Sequence, residues 1–204
     1  MGFSYKTSWL AVRARSIEDV ADAVELSDRS RMGFEEGTER AYRAGIYVAP
    51  ATAGWTLAHG ARHLSQHLDA SDPRFPARLS ALSTRLGEVQ FFGTHRVPEY
   101  HAWAWARDGR LIRAYCFVGQ AGEVPLFVGE PTPAERAANV GTRMLDDGWE
   151  RWTEGEWDAW HRTTPDESDV MRMAGSWSVN PDTIDDSKVV GEGLYGGSTL
   201  LDLT

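Results

Sequence analysis

The chain has 204 residues and 22.7 kDa, with 42% hydrophobic and 25% charged residues, a mix that closes a hydrophobic core without staples and excludes collagen-like, disordered and coiled-coil architectures. No apolar run approaches the roughly 20 residues that a membrane span requires, and the single cysteine, Cys116, excludes an internal disulfide framework and a cysteine zinc cage. The net charge of −9 is uneven: residues 130–204 carry 16 acidic and 6 basic residues, against 14 and 15 in residues 1–129.

That balance argues against nucleic acid as the main ligand, because backbone binding needs a basic patch. An acidic C-terminal third suits a basic protein partner, and equally a solvated surface that only aids solubility. The N-terminus shows no basic stretch leading into an apolar segment, so the sequence reads as cytoplasmic and bacterial, with no membrane contact.

In chain order, residues 8–15 alternate as a strand, and Ser16 caps a helix with Asp19 in a capping-box position. Residues 27–44 are polar and read as a loop with at most one short helix. Residues 45–48 and 54–58 read as short strands, and 61–68 and 76–86 as helices. Residues 88–128 form an antiparallel meander whose strongest cue is Asp108-Gly109, a two-residue hairpin turn. An unbroken register there pairs Arg107 with Arg110, Trp105 with Ile112, Trp103 with Ala114 and His101 with Cys116, setting large side chains against small ones. Both faces are then apolar, which places the hairpin at the centre of a covered sheet.

Thr132-Pro133-Ala134-Glu135 is a full helix start, with the helix expected to reach about Asp146. Trp149, Trp152, Trp157 and Trp160 follow at offsets that share one broad helical face, among Glu150, Glu154, Glu156 and Asp158. Thr164-Pro165-Asp166-Glu167 opens a last helix that ends before Asn180-Pro181. The expected fold is α+β: a central antiparallel sheet, flanking helices and a helical, Trp-rich C-terminal region. Residues 1–184 form one domain, and 185–204 a Gly-rich tail or a late edge strand.

His59, His63 and His67 are spaced for a helical stripe, but Gly60 after His59 places His59 at the end of the preceding strand and leaves the helix two histidines, which would need His95 or Glu99 as a third ligand; no glutamate stands in the metalloprotease position, and no metal site is assigned. Glu99 and His101 share a strand face about 7 Å apart. With His95, Arg96 and Arg113 near, they fit anion binding or acid–base chemistry, or a hydrogen bond closing the sheet edge. Cys116 reads as a buried inert thiol. No phosphate loop, dinucleotide fingerprint or nucleophile elbow is present, and no motif calls for a cofactor.

The run Phe92-Gly93-Thr94-His95-Arg96-Val97-Pro98-Glu99-Tyr100-His101-Ala102-Trp103, then Arg113-Ala114-Tyr115, Thr132-Pro133-Ala134-Glu135, Asp169-Val170 to Ala174, and Trp177-Ser178-Val179-Asn180-Pro181 resembles a family of small bacterial hypothetical proteins without an assigned activity. The resemblance spans residues 88–182. In build that family is similar to the α+β immunity proteins of toxin systems.

Two functions are carried forward. One is a non-enzymatic protein-binding module of the toxin-neutralising type, engaging a basic protein through Trp149, Trp152, Trp157, Trp160, Glu150 and Glu154. It requires at least one of the four indoles to be largely exposed. The other is a small enzyme or small-molecule-binding protein with a pocket near His95, Glu99, His101 and Arg113.

Overall fold

The computed structural model describes residues 3, 5–120, 122–141 and 149–198, the side chains of His63 and Trp149 apart. In strand β1 (Thr7–Arg13), Trp9 and Ala11 alternate with Leu10 and Val12, and all four are fully buried. A strand apolar on both sides needs cover on both, and β1 lies in the middle of a nine-stranded sheet. The other strands are β2 (Leu26–Met32), β3 (Ile46–Val48), β4 (Trp55–His59), β5 (Glu88–His95), β6 (Tyr100–Arg107), β7 (Arg110–Val118), β8 (Glu123–Val128) and β9 (Gly193–Ser198). Their order is β2-β9-β3-β4-β1-β5-β6-β7-β8, and all neighbours run antiparallel. The α+β architecture and the meander from β5 to β8 stand as the sequence predicts.

Helices cover both faces. Helices α1 (Ile17–Ala23), α3 (His63–His67) and α4 (Phe75–Leu86) pack on the side of Leu10 and Val12. Helices α2 (Phe34–Arg43), α5 (Pro133–Ala138), α6 (Glu154–His161) and α7 (Glu167–Trp177) lie on the side of Trp9 and Ala11. Ser16, Thr132, Thr153 and Asp166 each close a reciprocal capping box, which fixes where α1, α5, α6 and α7 begin. Among the described residues no helix is long and apolar enough to cross a membrane.

The hairpin of β6 and β7 turns at Asp108 and Gly109, both with positive φ as the turn type demands. Its register departs from the expected one after two pairs, the first being Arg107 with Arg110. Ala106 faces Leu111, but Trp105 faces Arg113, so Ile112 is the extra residue of a β-bulge. Everything beyond slips by one: Trp103 opposes Tyr115, Ala104 opposes Ala114, and His101 opposes Phe117. Large side chains therefore gather on one face of the hairpin and small ones on the other, instead of alternating across it.

The bulge brings Arg113 onto the aromatic face, where it meets Glu135 of α5. Arg113 is 1% exposed and Glu135 fully buried. Arg113 Nε and Nη2 donate to Glu135 Oε1 at 2.8 and 2.6 Å, Nη1 donates to the carbonyls of Val128 and Gly129, and Nη2 also reaches the carbonyl of Gly141. Glu135 accepts besides from Trp103 Nε1 and from the Thr132 amide. A buried ion pair is tolerated when its remaining donors and acceptors are met in this way.

Four further expectations are corrected. Residues 26–32 are not loop but β2, an edge strand whose five central residues are all exposed, which hides its strand character from a hydrophobic pattern. The Gly-rich stretch is neither a tail nor an edge throughout: Gly193–Ser198 form β9, bonded to β2 on one side and β3 on the other. Gly193 is required there, because a Cβ would enter the ring of Tyr47. Helix α5 stops at Ala138, where Asn139 turns left-handed as its C-cap; the expected continuation across 142–146 lies outside the described residues. The four tryptophans do not share a helix. Trp149 belongs to a 3-10 turn, Trp149–Arg151, and α6 starts afresh after Thr153.

Candidate functional site: an acidic, aromatic groove

The chain enters β6 through the turn at Pro98 and Glu99. Glu99 has a left-handed backbone, φ 52°, and its carbonyl accepts from the Gly119 amide at the far end of β7. The next residue on the same strand face is His101, 5% exposed, with Nδ1 3.1 Å from Thr94 Oγ1 on β5. Opposite this face starts α7. Its cap Asp166 and its first residue Glu167 stand over the His101 end of the sheet, and Arg96 holds Glu167 at 2.7 Å. Trp160 of α6 closes the third side, edge-on to Phe117 at 5.7 Å, with His161 against its own ring.

Two cavities share Glu99, His101 and Asp166. One, of about 350 Å³, extends toward Tyr5, Arg96 and Glu167. The other, of about 400 Å³, extends toward Phe117, Trp160 and His161. Together they make a groove with three carboxylates and one guanidinium. Burial pushes the His101 imidazole below its ordinary value, against the opposing pull of Glu167, Asp166 and Glu99, and so favours the neutral ring. The groove can accept a cation between carboxylates and lay it against an indole. Among the described residues no group of three or more His, Cys, Asp or Glu side chains is placed to hold a metal ion.

The sequence-derived candidates are partly united here and partly dispersed. Glu99 and His101 come together, and Trp160 from the tryptophan series joins them. Trp152 and Trp157 are half-buried and pack on Trp160 and on each other, with centroids 5.1 to 6.4 Å apart. None of these three indoles is largely exposed: they cluster, with Trp160 docked on Phe117, so the exposed indole surface expected of the protein-binding reading is not formed by Trp152, Trp157 or Trp160. Glu150 and Glu154 are exposed at its border. The side chain of Trp149 lies outside the described residues.

His95 is exposed and lines a separate cavity of about 250 Å³ with Ser65, Asp69 and Tyr100. Arg113 is committed to Glu135 inside the core and does not reach the groove. His59 ends β4 on the aromatic face, whereas α3 covers the other, so no three-histidine stripe forms. Cys116 is buried, and burial pushes its thiol up. Asp166 and Glu167 carried a helix-start signal in the sequence, but nothing there connected them with residues 99–101.

No family model, no curated protein and no solved structure matches the chain.

Proposed function

We propose that the chain is a non-enzymatic protein-binding module for a basic partner, with an arginine or lysine side chain of that partner entering the groove between Glu99, Asp166 and Trp160. The observation that carries this reading is the meeting of Glu99 and His101 with Asp166 and Trp160, from the acidic third of the chain, on one groove. Paired carboxylates make charge-assisted hydrogen bonds to a guanidinium, and the indole adds a cation–π contact. The surrounding charge of Glu150, Glu154 and Asp158 steers such a partner from a distance. Neutralisation of a basic toxin is one form this activity takes.

A fluorescent octa-arginine peptide tests the proposal by anisotropy, with octa-glutamate as control. Octa-arginine is expected to bind at low ionic strength and to weaken as salt shortens the screening length. The double variant Glu99→Gln/Asp166→Asn retains a helix cap at residue 166 and should lose roughly tenfold in affinity or more. Equal binding by the variant, or binding of both peptides alike, overturns the proposal.

A further inference from the structure

At the opposite end of the aromatic face is a second cavity of about 400 Å³, of contrary charge and unconnected with the groove. From it we infer a binding site for a small planar heteroaromatic amide or lactam that carries a carboxylate or phosphate. The inference does not rest on the protein-binding reading.

Gln90 is 1% exposed and sits in register between Ala11 and Trp105. Its Nε2 donates to the carbonyl of Trp177 at 3.2 Å. That carbonyl fixes the amide orientation, since a flipped amide would set two acceptors against each other. Oε1 is thereby left buried with no hydrogen-bond partner, and so is Nε1 of the neighbouring Trp105. Both residues line the cavity. An orphaned acceptor and an orphaned donor on adjacent strands are rare in a folded interior, and each is destabilising while unmet. Both atoms lie just behind the cavity surface, and a ligand with an N–H beside a C=O or ring nitrogen would satisfy them by displacing what covers them.

The walls include two indoles and suit an aromatic ligand. Trp105 and Trp177 have ring centroids 6.1 Å apart and planes tilted by 45°, and the Arg107 guanidinium lies 5.2 Å from the Trp105 ring. The mouth selects for an anion. Arg13 and Arg107 both donate to Glu88 Oε2, at 3.4 and 2.9 Å, so two cations share one carboxylate. The surplus positive charge stands where a substituent on the ring would emerge. The volume falls within the range of small-molecule pockets, about 300–1,000 Å³.

Titration calorimetry with orotate and uridine 5′-monophosphate tests the site, the first carrying a carboxylate on a lactam ring and the second a phosphate. Uracil, without the anion, and benzoate, without the donor–acceptor edge, are the controls. At least one of the two anionic lactams is expected to bind more tightly than both controls, and which of them does identifies the anion. Gln90→Leu should weaken that binding roughly tenfold while leaving benzoate unchanged. Trp105→Phe keeps a ring but loses the N–H, and decides the matter should Gln90→Leu not fold. The proposal is overturned if neither lactam exceeds its controls, the orphaned atoms then serving only ordered water. It is also overturned if the folded variants bind as the parent does.

Discussion

On one side of β6 and β7 stand Ala102, Ala104, Ala106, Ala114 and Cys116; on the other stand His101, Trp103, Trp105, Arg113, Tyr115 and Phe117. The alanine side lets α4 approach closely and packs with aliphatic residues such as Leu79 and Leu82. The aromatic side leaves larger spaces, and polar groups fill or border them. Among the described residues, the buried side-chain atoms without a partner belong to Trp9, Thr38, His59, Gln90, Trp105 and Glu167, all on the aromatic side or on the helices covering it. The Arg113–Glu135 pair, the acidic groove and the Gln90 cavity are there too. The difference separates two uses of one sheet: the alanine side sets the distance to the helices, and the aromatic side holds the chemistry.

The largest expected effect comes from breaking the polar centre of the aromatic side. Glu135→Ala strands a buried guanidinium and the indole N–H of Trp103, and should cost about 3–5 kcal/mol by urea denaturation. The double variant Arg113→Met/Glu135→Leu should recover much of that loss, because it leaves no unpaired charge. No recovery would show that the pair holds the layers together by more than mutual neutralisation.

A second effect depends on pH. Burial pushes the His59 imidazole down to about 3, and its ring stacks on Phe3 at 4.3 Å. The folded protein keeps this ring neutral where the unfolded chain, titrating near 6.5, takes up a proton. Its stabilising contribution is therefore whole above pH 6.5 and declines as pH falls toward 3, by about 1.4 kcal/mol per unit. Denaturation at pH 7, 5.5 and 4.5 should show a shallower acid loss in His59→Phe than in the parent, and parallel losses would refute the assignment.

The smallest effect tests the alanine side. Ala104→Leu should overpack the contact with α4 and cost about 1–3 kcal/mol without disturbing ligand or peptide binding. A change in either binding would mean that the two sides are coupled.

Much of this frame is legible in the residues. The capping boxes at Ser16 and Thr132, the Asp108-Gly109 turn and the two-sided burial of the hairpin all rest on local rules, and local rules can be read from a sequence. The register slip at Ile112 is different. It is tied to an arginine that meets a glutamate 22 residues later, a tertiary demand that a two-residue turn does not announce. β2 is hidden because LSDRSRM has no apolar alternation, and β9 reads equally as a tail or a late edge strand because glycines such as Gly193, which makes room for the Tyr47 ring, carry no strand pattern. In the groove, Glu99 and His101 were visible as a pair on one strand. Asp166, which completes their setting, lies more than sixty residues away and read only as a helix start. Arg113 had the right chemistry for a site but was taken by the core.

The strand order also constrains how the protein can be made. Among the described residues β2 pairs with no strand but β9, and the two are far apart in sequence: Leu26 faces Ser198, 172 positions later. On the ribosome, β2 and β3 emerge early with facing edges unpaired, and nothing synthesised in between fills the gap. Open edges of that kind invite pairing with a neighbouring chain. Folding cannot then proceed strand by strand from the N-terminus. The topology implies a slot in the sheet until Gly193–Ser198 has left the exit tunnel, and a nascent chain paused before that point is expected to be the form of this protein most in need of a chaperone.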